Sequence, residues 1–504
     1  MGIIIRQSLK NSVVTYFGVI IGTINVLYLY NAFLSTDQMG LYSAITSFPV
    51  VFASFTQLGI PLIAVRYFNR FNDDEKQHNG FFAFLMVAPL VGCFIFSLLY
   101  IFGSGLFRWI YEDGSPLLVK YYYFLLPLTI CLVYMTVLES YARVHLRIVV
   151  PAIIRELGIK LSNSALAIAY ALHWITFDQL ITALVLLHLV AVLALLGYLQ
   201  WLGRLYWKPD FSFLRKPVFK EMWQYGLWVI MGGVSATLAM NIEKFFLAAY
   251  QNGMTNTAIF DIASKIALII AIPRNALASI STPLLNESWQ RNDLEHIDEI
   301  YKKSSLNLLI VGGLLFLGIW CNIDSIFKII PKSAIYEQGK WVVLFVGLGR
   351  VVDMATGLNS EILVGSKYYR YDLAFFVFQT IMLVIANAIL IPLYGYNGAA
   401  LAMLVALTLY NGIKFWFIYS KFGLQPFTAN TLKVIALLLV TYGISRLIPV
   451  SNESLWLTLA GIAAKSIVIV GVFVGGVLWL RISEDANQVV VSIWHKFYKK
   501  NIKQ

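Results

Sequence analysis

The sequence predicts an all-α integral membrane protein with about 14 transmembrane helices, each needing about 20 residues. These form two pseudo-symmetric six-helix lobes and a final pair of helices. Three observations predict this fold class. Of 504 residues, 59% are hydrophobic and only 13% charged, with a mean hydropathy of +0.74. A soluble domain carries about 45–50% apolar and about 25% charged residues. Apolar runs of span length recur along the whole chain, and the second half repeats features of the first. A soluble enzyme, a disordered chain and a disulfide scaffold are excluded, because ordinary cores cannot hide so much apolar surface.

In order, the predicted spans are 12–34, 40–65, 80–102, 117–139, 151–173, 178–200, 222–250, 257–285, 304–323, 341–365, 373–392, 399–419, 430–448 and 456–480. Runs this apolar must be helical, since hydrocarbon offers backbone groups no partner. The first follows Arg6 and Lys10 without a small-residue cleavage site and reads as an uncleaved start. The second, seventh and eighth are long enough to be tilted or broken. The expected organisation is an N-terminal lobe (1–200), a cytoplasmic connection (201–221), a C-terminal lobe (222–419) and helices 13 and 14 (420–480). A tail (481–504) follows, in which Val490, Ile493, Trp494 and Phe497 share a helical face among Lys496, Lys499 and Lys500. That pattern suits a helix lying in the membrane interface.

Orientation follows from the basic residues. The net charge is +12, and Lys and Arg concentrate in segments 66–76, 204–220 and 494–503, whereas 35–39, 174–177, 251–256 and 393–398 have none. Cytoplasmic loops collect such residues, so both termini are expected in the cytoplasm. The excess is topological and implies no nucleic acid partner. Cys93, Cys131 and Cys321 show no metal or redox spacing. There is no phosphate-binding loop, no DxD and no HExxH, so neither ATP hydrolysis nor a metal site is expected. The short outer loops leave no room for a catalytic face, so no enzymatic activity is expected.

The repeat is visible in paired segments. Tyr16-Phe17-Gly18-Val19-Ile20 in the first span corresponds to Tyr225-Gly226-Leu227-Trp228-Val229 in the seventh. Met39-Gly40-Leu41-Tyr42 at the second corresponds to Thr257-Ala258-Ile259-Phe260 at the eighth. Two parallel six-span repeats are the architecture of transporters that rock around a central cavity.

At this level of detail the sequence resembles the multidrug/oligosaccharidyl-lipid/polysaccharide exporter superfamily, and within it the O-antigen flippase-like polysaccharide flippases. The residues carrying the likeness are Gly40-Leu41-Tyr42-Ser43, Leu58-Gly59-Ile60-Pro61 with Arg66, Glu243-Lys244-Phe245-Phe246-Leu247, Ala258 to Lys265, and Ile391-Pro392-Leu393-Tyr394-Gly395-Tyr396-Asn397-Gly398-Ala399-Ala400. Two departures stand out: Glu243-Lys244 replaces Asp-Arg, and Ala258 replaces a glycine. The resemblance implies a flippase moving an undecaprenyl-pyrophosphate-linked oligosaccharide from the inner to the outer leaflet by alternating access. It implies the bacterial cytoplasmic membrane, an apolar groove for the lipid tail at the last two helices, and a polysaccharide polymerase and glycosyltransferases as functional partners. A multidrug antiporter of the same superfamily is the alternative, and a membrane-embedded polysaccharide-assembly enzyme a more distant one.

Ionisable side chains at membrane depth are costly and mark candidate sites. Nine cations in the predicted spans are singled out: Arg155, Lys160, Lys244, Lys265, Arg274, Arg350, Lys414, Lys433 and Lys465. Six acids accompany them: Glu139, Glu156, Glu243, Asp261, Asp353 and Glu361. The surplus suits a pyrophosphate head and not cationic drugs. Candidates for the substrate are Lys160, Lys265, Arg274 and Arg350, with Asn25 and Gln57 for sugar hydroxyls. Glu156, Glu243, Lys244, Asp261, Asp353 and His188 are candidates for a charge network or for coupling. Lys465 is the candidate at the lipid groove. Several have a plainer alternative: Asp261 with Lys265, Arg350 with Asp353 and Glu156 with Lys160 are spaced to pair on one helix face. Asn25 and Gln57 are equally suited to joining helices, and His188 to a core hydrogen bond. Glu139, Arg155, Glu361, Lys414 and Lys433 lie near span ends, where long side chains reach the interface. No cofactor is implied, and a proton or sodium gradient is the compatible drive.

Overall fold

The computed structural model describes residues 2–73, 75, 77–207, 217–449, 454–485 and 487–488. The central stretch 208–216 and the tail from 489 onward, with its expected interfacial helix, lie outside the described residues. Every regular element among the described residues is helical. Ten helices are long and apolar enough to cross a membrane, or eleven if the bent pair Ser333–Ala355 and Asn359–Gly365 forms one span. The chain divides into two compact units, Met1–Asp261 and Ile262–Gln504.

In the first unit, α1 (Gly2–Ile24) passes through a π-helical turn at Asn25–Leu29 before Tyr30–Phe33 completes it. Such a turn shifts backbone partners. Buried Asn31 donates from Nδ2 to the carbonyls of Val26 (2.9 Å) and Leu27 (3.2 Å) and restores them. The second predicted span is broken into α2 (Thr36–Thr56) and α3 (Ile60–Tyr67). Gly59 at the break has φ 70°, a conformation glycine adopts without strain, and Pro61 pre-sets the next turn. These are the residues of the Leu-Gly-Ile-Pro motif. Then follow α4 (Phe81–Phe102), α5 (Tyr122–Val144), a second π segment at Ile153–Gly158 leading into α6 (Ile159–Ala171), α7 (Phe177–Trp201) and α8 (Pro217–Ala249). The fifth predicted span is missing from the ten long apolar helices. Its sequence carries Arg155, Glu156 and Lys160 through the π segment. The first helix of the expected C-terminal lobe, α8, packs along α2 and α3: Phe245 stacks on Phe48 at 3.7 Å, and Arg70 bonds Glu221 at 2.9 Å.

A bridging helix, α9 (Gly253–Leu268), crosses from the first unit into the second. The second unit continues with α10 (Ile272–Gln290), α11 (Leu294–Trp320), α12 (Lys340–Ala355), α13 (Asn359–Gly365), α14 (Tyr369–Phe422), α15 (Ala429–Arg446) and α16 (Leu455–Trp479). The tenth predicted span is bent by 46° where α12 meets α13. A straight helix of the 54 residues in α14 would run about 81 Å, against a hydrocarbon core of about 30 Å. It turns at Gly395, whose φ 55° and ψ −134° lie outside the helical region. A Cβ on Gly398 would sit 2.0 Å from the Leu390 carbonyl oxygen, so the chain doubles back in close contact. The Ile-Pro-Leu-Tyr-Gly-Tyr-Asn-Gly motif is therefore the hinge between the eleventh and twelfth predicted spans. Helix α15 has 18 residues including Asn430, Lys433 and Arg446, and is not among the ten long apolar helices.

Candidate functional site

Local helix chemistry places the first polar cluster. The π segment before α6 carries Glu156, and one turn later Lys160 donates to its Oε2 at 2.6 Å and to the Gly18 carbonyl at 3.1 Å. Asn25, on the π turn of α1, donates to the Lys160 carbonyl (2.9 Å) and accepts from Ser164 (2.7 Å). Both ends of its amide are thus engaged between helices. This is the helix-joining arrangement that the sequence offered for Asn25 beside a sugar contact. The Lys160–Glu156 side chains remain 30% and 25% exposed. Glu156 also lines a cavity of about 470 Å³ with Gln7, Asn11, Thr15, Glu139, Arg143 and Arg155. In its wall, Arg155 bonds Glu139 at 2.7 Å. Gln57 ends α2 at the break and is half-buried. His188 bonds the Leu184 carbonyl of its own helix at 2.8 Å, the plainer of its two readings.

The Glu-Lys motif lies at the end of α8. Lys244 reaches Asp261 of α9 at 2.8 Å and Ser47 of α2 at 2.8 Å. Asp261 thus has a cross-helix partner and is not confined to Lys265 on its own face. Glu243 is 3% exposed. A carboxylate so deep is tolerated because the protein supplies electrostatic partners.

The second unit builds a denser network. Arg274 of α10 faces Glu361 of α13 through two nitrogens at 3.4 Å each and Asp353 of α12 at 3.4 Å. Asp353 also accepts from Asn411 (3.2 Å), whose Oδ1 accepts from Thr356 (3.0 Å) and Asn359 (2.8 Å). One turn on, Lys414 is fully buried: it bonds Asp372 and Ser360, each at 2.5 Å, and Tyr410. Glu361 and Lys414 therefore do not snorkel to the interface. Their span ends are enclosed by neighbouring helices, and each finds an opposite charge instead of water. The sequence pattern missed Lys414 as a site residue because its partner Asp372 precedes the predicted eleventh span.

Five of the nine expected span cations, Arg155, Lys160, Lys244, Arg274 and Lys414, are held in ion pairs. Lys265 and Arg350 are half-buried on α9 and α12, each with its own partner in the protein. Fewer of these cations are thus left open than the count of basic residues suggested.

Beside this network runs an apolar groove of about 1120 Å³, lined by α11, α12 and α15 with Leu309, Trp320, Trp341, Leu348 and Leu438. Lys465 on α16, the candidate at a lipid groove, is half-buried and is not among its lining residues. Among the described residues no cluster of metal-ligating side chains occurs.

A family of polysaccharide biosynthesis proteins matches residues 4–289, more than half of the chain. The chain belongs to this polysaccharide biosynthesis family. No curated protein sequence matches significantly. Among solved structures, the lipid II flippase MurJ in an inward closed conformation shares the fold with a TM-score of 0.72 at 13% identity, covering 93% of this chain and 99% of that one. An inward-facing multidrug resistance MATE transporter of the MOP superfamily gives 0.61 at 14% identity, covering 81% and 94%. A MOP superfamily transporter from Pyrococcus furiosus gives 0.51 at 15% identity, covering 83% and 95%. This polysaccharide biosynthesis family member therefore has the fold of membrane flippases and transporters.

Proposed function

We propose that the protein flips an undecaprenyl-pyrophosphate-linked oligosaccharide from the inner to the outer leaflet of a bacterial cytoplasmic membrane. In this reading 14 spans place both termini in the cytoplasm, and two six-helix lobes alternate access around a central cavity. The observation that carries it is the 1120 Å³ apolar groove, built partly by α15 beyond the twelfth predicted span. A drug-sized cargo needs a pocket of roughly 300–1000 Å³ with walls around it, whereas a polyprenyl tail needs a long apolar channel. The multidrug reading is supported by the MATE-like fold and by the pairing of most span cations with acids.

Lys265 and Arg350 take the pyrophosphate in this proposal, Arg350 because its planar fork matches phosphate oxygens. Gln57, free of any role in the ion pairs, is kept for sugar hydroxyls. Glycosyltransferases would supply the substrate and a polymerase would consume it. A proton or sodium gradient would drive the cycle. The test is a strain whose only copy carries Lys265→Ala with Arg350→Ala. Lipid-linked repeat units should accumulate on the inner leaflet, and surface polymer should disappear at unchanged membrane abundance of the protein. Normal surface polymer would sink the assignment.

A further inference from the structure

The apolar groove does not end blindly. Thr428 lines both the groove and a second, polar pocket of about 220 Å³ formed by Lys302, Lys303, Asn307, Asn430, Glu484 and Asp485. Leu306 in this pocket and Leu309 in the groove follow one another on α11. A polar chamber therefore opens into an apolar channel, the outline of an amphiphile.

The charges of the chamber select its headgroup. Lys302 is paired with Asp298, and Lys303 bonds Glu299 at 2.6 Å, so both lysines are already answered from their own helix. Asn307 donates to Asp485 at 2.7 Å, and Lys433 donates to Asn430 at 3.0 Å. The chamber is lined by two lysines and two carboxylates, but Asp298 and Glu299 behind the lining already answer the lysines, and Glu484 is exposed. A net anionic headgroup meets more negative than positive charge here. An ammonium group is attracted to Glu484 and Asp485, while a phosphate beside it reaches the lysines. The channel also has a fitting depth. From Leu309 to Trp320 the helix rises about 16 Å, close to the half-thickness, about 15 Å, of a hydrocarbon core.

We propose that chamber and channel together bind one inner-leaflet phospholipid with a primary ammonium headgroup, of the phosphatidylethanolamine type. Its acyl chain lies in the groove toward Trp320 and Trp341. This rests on the proposed reading only for placing the start of α11 at the inner face.

The test uses full-length protein in phosphatidylcholine nanodiscs doped with brominated-chain lipids. The tryptophan quenching removed by Trp320→Phe with Trp341→Phe reports groove occupancy. Brominated phosphatidylethanolamine should half-quench that signal at an about three- to fivefold lower mole fraction than brominated phosphatidylglycerol, the range expected of exposed ion pairs. High salt should shrink the difference in the unaltered protein, and Glu484→Gln with Asp485→Asn should remove it. Equal quenching by the two lipids, preference for phosphatidylglycerol, equal action of phosphatidylcholine, or a preference unaffected by salt would each overturn the proposal. Because no transport is measured, a failure here leaves the flippase reading standing, and a failure of transport leaves this one standing.

Discussion

Each unit holds a lysine–carboxylate pair among its helices, and the two pairs differ in how far they are enclosed. In Met1–Asp261, Lys160 and Glu156 stay 30% and 25% exposed, and Glu156 borders a cavity of about 470 Å³. In Ile262–Gln504, Lys414 is completely enclosed and Asp372 is 20% exposed. Lys160 has one carboxylate and one backbone carbonyl as partners, while Lys414 has a carboxylate and two hydroxyls. An ion pair pays its desolvation cost only where further hydrogen bonds complete it. The enclosed lysine therefore joins the two arms of α14 to α13, whereas the open pair keeps enough exposure to change partners.

The largest effect that would test this contrast is at Lys414. Replacing it with Ala leaves Asp372 and Tyr410 without their cation in a largely enclosed site, at a cost of about 3 kcal/mol. Little folded protein should remain in detergent by size exclusion, and Lys414→Met with Asp372→Leu should recover part of it. If Lys414→Ala melts like the unaltered protein, the joint is not structural.

Asn411 sharpens the same side of the comparison. It is fully buried and connects Asp353, Thr356 and Asn359. Asn411→Leu should destabilise by about 1–3 kcal/mol for the groups left unpaired, lowering the melting temperature while sparing expression. A change confined to transport, with no shift in melting, would reassign Asn411 from the packing of α12 and α14 to the transport path.

How far these sites were legible in the sequence depends on what a span boundary hides. The helices, the break at Gly59 and the reversal at Gly395 follow from local rules, since apolar periodicity and glycine conformation act within a few residues. Pairing on one face was also legible for Glu156 and Lys160, which sit at i and i+4. Arg274 with Asp353 and Glu361 and Lys244 with Asp261 join different helices, Lys414 with Asp372 joins the two arms of α14, and a hydropathy profile has no term for that. Depth misled as well: Lys414 lies near a span end, yet neighbouring helices enclose that end and deny the side chain water. The apolar groove was expected at the last two helices. It forms where α15 meets α11 and α12, because the tertiary packing decides which faces remain uncovered.

The smallest expected stability effect is at the open pair, and it decides the comparison. Lys160→Gln removes a bond to Glu156 that is partly screened by its exposure, worth about 1 kcal/mol or less. Its amide can still donate to the Gly18 carbonyl, so α1 and α6 should stay joined and the melting temperature should barely move. Transport, however, should fall if the exposed part of Lys160 serves an anionic ligand, because a neutral amide presents no cation. Glu156→Gln, which frees the cation, should leave transport intact or raise it. The two variants measured together separate the roles: opposite effects on transport with equal melting mark an exchangeable pair. Equal losses of transport and stability in both would make Lys160–Glu156 a second structural joint, and the difference between the units would vanish.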